Sequence, residues 1–133
     1  MSKGFTEDYW GSISRKFSRG NNERLWRAHL QEVYRGLLDR WFENSPAGYT
    51  LKTDLFDEAI SNHGLISLCR QKCERIVGTE ISLEVATAAT ENINRENGSW
   101  RNAVCSNIKQ LAFTSDCFDY IVSNSTLDPI LFI

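Results

Sequence analysis

Apolar positions follow three different rules along the chain. Over residues 1–22 the aromatics Phe5, Tyr9, Trp10 and Phe17 are mixed with Gly, Ser, Asn and charged residues in no sustained period, which predicts an irregular arm with at most one short helix. From Glu23 the steps become helical. Trp26, Leu30, Val33, Leu37 and Trp41 recur at intervals of four, three, four and four and form one stripe, so an amphipathic helix of roughly twenty residues is expected, with that stripe turned inward. Asn44, Ser45 and Pro46 end it, and Gly36 inside it weakens it by about 1 kcal/mol relative to Ala.

After Pro46-Ala47-Gly48 the pattern alternates between strand and helix. Tyr49–Thr53 is a short β-prone run, followed by the acidic Asp54–Ala59 and a helical stretch toward Arg70 that is divided near Asn62-His63-Gly64. Arg75–Ile81 reads as a second strand. Ser82 is a natural N-cap for a helix from Leu83 to about Arg95, with Val85, Ala86, Ala89 and Ile93 as its inward face. Asn97-Gly98 marks a turn, Ala103–Cys105 a third strand and Phe118–Ser123 a fourth. Strands separated by helices are βαβ units, because parallel neighbours need a crossover that covers the sheet. The expected fold is therefore α/β: a Rossmann-like parallel sheet with helices on both faces. A helical cap over residues 1–48 would precede a sheet domain over 49–133.

With 133 residues, 41% of them hydrophobic, the chain can bury a core without disulfides or metal, and wholly disordered and low-complexity classes are excluded. Charge is uneven. Residues 1–49 hold eight basic and six acidic side chains, and the rest hold seven and eleven, for a net charge of -2. Arg15, Lys16, Arg19, Arg24 and Arg27 beside Phe17 and Trp26 admit a nucleic-acid face, but six interrupting acids favour a solvated cap, so no nucleic-acid partner is expected. No stretch approaches a membrane span and no secretory leader is signalled, which makes a cytoplasmic setting the expectation. Cys69, Cys73, Cys105 and Cys117 are then expected as thiols. Cys69 and Cys73 are four apart and would share a helical face, but a metal site needs about four ligands and only His29 and His63 remain, so no metal is expected.

In open parallel sheets ligands bind at the carboxyl ends of the strands, near the reversal of strand order. Those ends carry Asp54-Leu55-Phe56-Asp57, Glu80-Ile81-Ser82, Ser106-Asn107-Ile108 and Asn124-Ser125-Thr126. A carboxylate at the end of a second strand, here Glu80, can accept two hydrogen bonds from the vicinal hydroxyls of a ribose. Asp57 and Glu58 have a simpler role open to them, as acids at the start of the following helix. Neither His29 nor His63 has a nucleophile partner in a recognised elbow.

Arg75–Ser82 with the Ala-bearing helix behind it, and above all Leu111-Ala112-Phe113-Thr114-Ser115-Asp116-Cys117-Phe118-Asp119-Tyr120-Ile121-Val122-Ser123-Asn124, resemble the second and fourth strand regions of class I S-adenosylmethionine-dependent methyltransferases. The resemblance runs from about Tyr49 to the end. It implies S-adenosylmethionine as cofactor and methyl transfer to a small-molecule acceptor. By the same resemblance Glu80 would hold the cofactor ribose, with Ile81 and Ser82 beside the adenosine. Asn107 and Ile108 would lie at the adenine, Asn107 standing where the family has an aspartate. Thr53, Asp54, Leu55 and Phe56 would lie at the amino-acid end, and Ser123 and Asn124 between the methionine portion and the acceptor.

Two departures from the family pattern stand out. The loop Thr53–Glu58 has no glycine where the family has several, and its acids exclude a phosphate while suiting a cationic sulfonium and ammonium. The resembled fold has about seven strands, so this chain is expected to be a truncated version whose fourth strand is an open edge, a place for self-association. The competing class is a catalytically inactive cofactor-binding or protein-interaction module.

Overall fold

The structure, a computed structural model, describes residues 7–17, 24–42, 47–61 and 64–124. In chain order these form α1 (Glu7–Phe17), α2 (Arg24–Trp41), β1 (Ala47–Lys52), α3 (Phe56–Ile60), α4 (Leu65–Cys69), β2 (Cys73–Glu80), α5 (Leu83–Asn97), β3 (Ala103–Cys105) and β4 (Tyr120–Val122). The arm thus contains an eleven-residue helix. The stretch expected to be a divided helix is two short ones, and His63 lies outside the described residues. The fourth strand is shorter than its apolar run, starting at Tyr120 rather than Phe118.

The four strands form one all-parallel sheet in the order β3-β2-β1-β4. The chain moves outward from β1 through β2 to β3 and returns to the far side of β1 as β4. The reversal of strand order therefore falls between β1 and β4.

Register decides which side chains meet the helices. Thr50 and Lys52 lie beside Ile76 and Gly78 on one flank and Tyr120 and Val122 on the other, so these six share a face. Ile76 joins Leu38 of α2, Leu55, Ala59 of α3, Leu65, Ile66, Leu68 and Cys69 of α4, Val85, Ala86, Ala89 and Ile93 of α5, and Trp100 in one buried core, with Val122 packed against it. The predicted inward face of α5 is the observed one, and Ser82 caps that helix by accepting from the Val85 N–H (3.3 Å). Trp100 was not anticipated. Its indole N–H donates to the Ile76 carbonyl (3.1 Å), and its backbone is bracketed by the Asn94 amide, which accepts from Trp100 N–H (2.7 Å) and donates to Trp100 C=O (2.9 Å). The neighbouring turn passes through Gly98 at φ 90°, a conformation that costs glycine little.

The expected orientation of α2 is corrected. Trp26 is 60% and Trp41 64% exposed, Val33 is exposed as well, and Leu30 and Leu37 are only half-buried. The core is met instead by Tyr34, Leu38 and Phe42, on the row that begins with Arg27 and Gln31 and is offset by about 100°, one residue of helical rotation. Both rows have helical spacing. The buried one was hidden because it begins with an arginine and a glutamine, and Arg27 faces inward to meet Asp57. Phe42 closes the far end of α2 edge-on against Tyr120 of β4, with ring centroids 4.7 Å apart.

Candidate functional site

The carboxyl ends of β1, β2 and β4 converge where strand order reverses, and the loop after β1 fills the space between them. Leu55, fully buried, packs directly on Gly78, where a Cβ would collide with the Leu55 side chain. Glycine is thus required on β2, opposite the loop, rather than within it. Beneath the loop lies Lys52, with no exposed side-chain surface. Its Nζ donates to the Asp54 carbonyl (2.7 Å) and to Glu58 Oε2 (3.2 Å), with Asp54 Oδ1 at 3.6 Å. Glu58 Oε1 in turn accepts from the Ile66 N–H at the start of α4 (3.2 Å), a reach that Gly64 permits because a Cβ there would collide with Glu58. Burial alone draws the Lys52 pKa down, but the carboxylates of Glu58, Asp54 and Asp57 outweigh it and hold the ammonium charged. Burial pushes the Glu58 carboxyl up, against the pull of Lys52. Glu58 lies in the first turn of α3, as read from the sequence, and is in addition the buried ion-pair partner of Lys52.

Glu80 stands at the end of β2, 6% exposed. Its Oε1 accepts from the N–H groups of Ile81 (2.9 Å) and Ser82 (3.2 Å), and Oε2 accepts from Leu55 N–H (3.1 Å). Burial raises its pKa, and the amides of Leu55 and Ser82 work against that rise. A carboxylate has about four acceptor positions, and three are taken by backbone. One, on Oε2, remains. The residue expected to face outward therefore first holds the β1 loop to the β2 terminus.

At the β1–β4 junction, Thr53 N–H donates to Val122 C=O (3.1 Å) and Thr53 Oγ1 to Ser123 Oγ (2.9 Å). Asn124 Nδ2 donates to Asp57 Oδ2 (2.9 Å), and the other Asp57 oxygen lies 3.3 Å from Arg27 Nη1. Asp54 Oδ1 accepts from Phe56 N–H (3.1 Å) and turns the chain into α3. Helix α1 lies alongside. Trp10 meets Phe56 edge-on at 5.7 Å between ring centroids, Arg15 pairs with Glu84, and Gly11 is buried against Glu84 and Ser82.

The structure brings Thr53, Asp54, Leu55, Phe56, Glu80, Ile81, Ser82, Ser123 and Asn124 to this one end of the sheet. Asn107 and Ile108 follow β3. Asn107 is exposed, bridges to Gln110, and its side-chain oxygen accepts from Lys109 N–H (2.9 Å). Sequence reasoning missed Lys52 and Arg27 as members of the cluster and gave Asp57 and Glu58 only a role at the start of the following helix. For Lys52 the available signal was its parity with Thr50, which places both on one face of a strand. Among the described residues no group of three His, Cys, Asp or Glu side chains is placed to hold a metal. Cys73 donates to the Cys69 carbonyl (2.9 Å), and the cysteines are free thiols.

A parallel sheet in the order 3-2-1-4, with an acid ending its second strand and its ligand end at the reversal, defines a Rossmann-like α/β domain. Residues 56–130 match the family described as methyltransferase domain, more than half of the chain, and the protein belongs to this class I S-adenosylmethionine-dependent methyltransferase family. No curated protein matches the chain. No solved structure matches it either. The matched stretch starts at Phe56, so β1, the loop Thr53–Leu55 and the two N-terminal helices lie outside it.

Proposed function

We propose that this chain binds S-adenosylmethionine across the carboxyl ends of its strands and supports transfer of the methyl group to a small-molecule acceptor. Glu80 is the ribose acid, with Ile81 and Ser82 beside it, and Asn107 and Ile108 flank the adenine. Thr53, Asp54, Leu55 and Phe56 border the amino-acid end, and Ser123 and Asn124 the rim toward the acceptor. Residues 1–48 serve as the cap over the sheet domain of residues 49–133. The reading places the chain in the cytoplasm, where free thiols such as buried Cys69 stay reduced.

One observation carries the reading: Lys52 and Arg27 at the strand reversal are already paired with Glu58 and Asp57, and the positions left over are acceptors, a spare one on Glu80 Oε2 and a shielded Asn124 Oδ1 that lacks a partner among the described residues. Such a set fits a ligand with hydroxyls and positive charge and opposes a phosphate. When bound, a sulfonium supplies an already activated methyl group. The residues then need only orient the reactants and exclude water, which is where much of such a rate arises. The buried Lys52–Glu58 pair keeps the loop rigid for that purpose.

The test uses ligands rather than variants, because replacing Glu80 would also release three backbone amides. Calorimetric titration with adenosine and with 2′,3′-dideoxyadenosine should show adenosine binding about tenfold tighter, the worth of one hydrogen bond to a charged acceptor. Equal affinities would remove Glu80 from the ribose. A second reading, the interaction module, is favoured by β4, which is an outer strand among the described residues and whose Ile121 is 66% exposed.

A further inference from the structure

Helix α2 carries a row of apolar side chains that the protein leaves uncovered. Trp26, Leu30, Val33, Leu37 and Trp41 span about 22 Å of helix, with both tryptophans largely exposed. Single apolar residues on a surface need no explanation, but a continuous row of this length does. Contacts show which way it looks. Arg27 reaches Asp57 beyond β1, and Phe42 meets Tyr120 at the start of β4, so α2 runs antiparallel to the strands on the β1–β4 side of the sheet. Asp39 pairs with Lys72 just before β2, and it lies about 160° around the helix from Leu37 and Trp41. The row therefore faces away from β2 and past β4, an outer strand among the described residues.

We propose that this row is the face on which a second copy of the chain docks, with the two α2 helices antiparallel about a twofold axis. The row itself names the partner. Taken from either end it is Trp, Leu, Val, Leu, Trp, so a reversed copy offers the same side chains. Trp26 of one copy then meets Trp41 of the other and Leu30 meets Leu37, with Val33 close to the axis; each contact is made twice, as a closed dimer requires. Neighbouring strands lie about 4.8 Å apart and packed helices about 8–10 Å, so two β4 edges meeting at that axis bring the α2 helices to packing distance. Charge disfavours a lipid surface as the occupant. Of the arginines of α2 only Arg40 falls on this flank, Arg27 and Arg35 being held by Asp57 and Glu32, which is too little basic charge to hold an anionic membrane. The proposal stands independently of the cofactor reading.

Sedimentation velocity from micromolar to millimolar chain concentration tests it. The wild-type chain should dimerise, and Trp41→Glu should weaken the dimer by about thirtyfold or more, as loss of an aromatic anchor does. If Trp41→Glu does not fold, Trp26→Glu reads the same contact from the other end. Cross-linking reads the direction, in a Cys105→Ser/Cys117→Ser background oxidised with glutathione disulfide. Val33→Cys should give a covalent dimer. Trp26→Cys alone should not, because antiparallel copies hold those two positions roughly 20 Å apart. A chain that stays monomeric throughout overturns the proposal, as does a dimer that both glutamate variants leave intact. A cross-link at Trp26→Cys would overturn the antiparallel arrangement. A monomer that binds phosphatidylserine-containing vesicles, and loses them on Trp41→Glu, would give the row to a lipid surface instead.

Discussion

Lys52 and Glu58 place two opposite charges in the interior of a small domain, and each is tolerable only because of the other. Removing one partner of a buried pair leaves an uncompensated charge, whereas replacing both with apolar groups avoids the desolvation cost altogether. Lys52→Met should therefore destabilise the fold by about 3–5 kcal/mol, and the double variant Lys52→Met/Glu58→Leu by clearly less, measured as urea midpoints. The buried acids also give a pH dependence of definite sign. Glu58 and Glu80 both have folded pKa values above their ordinary 4.5, so the folded chain binds their protons more tightly than the unfolded one. Their contribution to stability is greatest at and below that ordinary value and declines as pH rises through the raised folded values. Urea melts from pH ~4.5 to ~7 should show this decline, and Glu80→Gln should flatten it. Burial likewise pushes the Cys69 thiol up to about 12, which makes it an inert core thiol.

At the level of elements, the β1 loop and β2 are fitted to each other through a single contact. Gly78 is glycine because Leu55 fills the space a Cβ would occupy. Gly78→Ala should force Leu55 from its buried position at a cost of about 1–3 kcal/mol. Because Leu55 N–H donates to Glu80, the same change should also weaken adenosine binding. Thermal melts and calorimetry check the two effects; unchanged binding in a destabilised variant would separate the loop from the ligand site. The helices show how far pattern reading reaches. In α5 the small and branched positions Val85, Ala86, Ala89 and Ile93 are the only continuous apolar row, and they are the buried row. In α2 two rows share helical spacing, and the row with the tryptophans is the exposed one. Periodicity identifies a helix without choosing between two such faces; Leu38, Tyr34 and the Arg27–Asp57 pair make that choice through contacts with distant segments.

At the scale of the whole molecule, β3 and β4 are the outer strands of the sheet among the described residues. β4 pairs with β1 alone among the described strands and its Ile121 is exposed, and we propose this side of the strand as a place for self-association. Light scattering at rising concentration should show self-association, and Ile121→Lys should lower it while changing stability by no more than about 0.5 kcal/mol. A strictly monomeric chain would remove the edge as an interaction site. No helix among the described residues is long and apolar enough to cross a membrane.

Strand and helix order, the parallel sheet, the capped α5 and the acid ending β2 were legible from local pattern, because alternation, N-caps and turns are properties of neighbouring residues. The fourth strand region was legible too, from its run of residues alone. What Glu80 touches, which row of α2 is buried, and the joining of Lys52 to Glu58 and of Arg27 to Asp57 and Asn124 depended on the tertiary structure. Those contacts join segments as many as 67 positions apart, and no local rule of spacing can bring such residues together before the sheet has set their register.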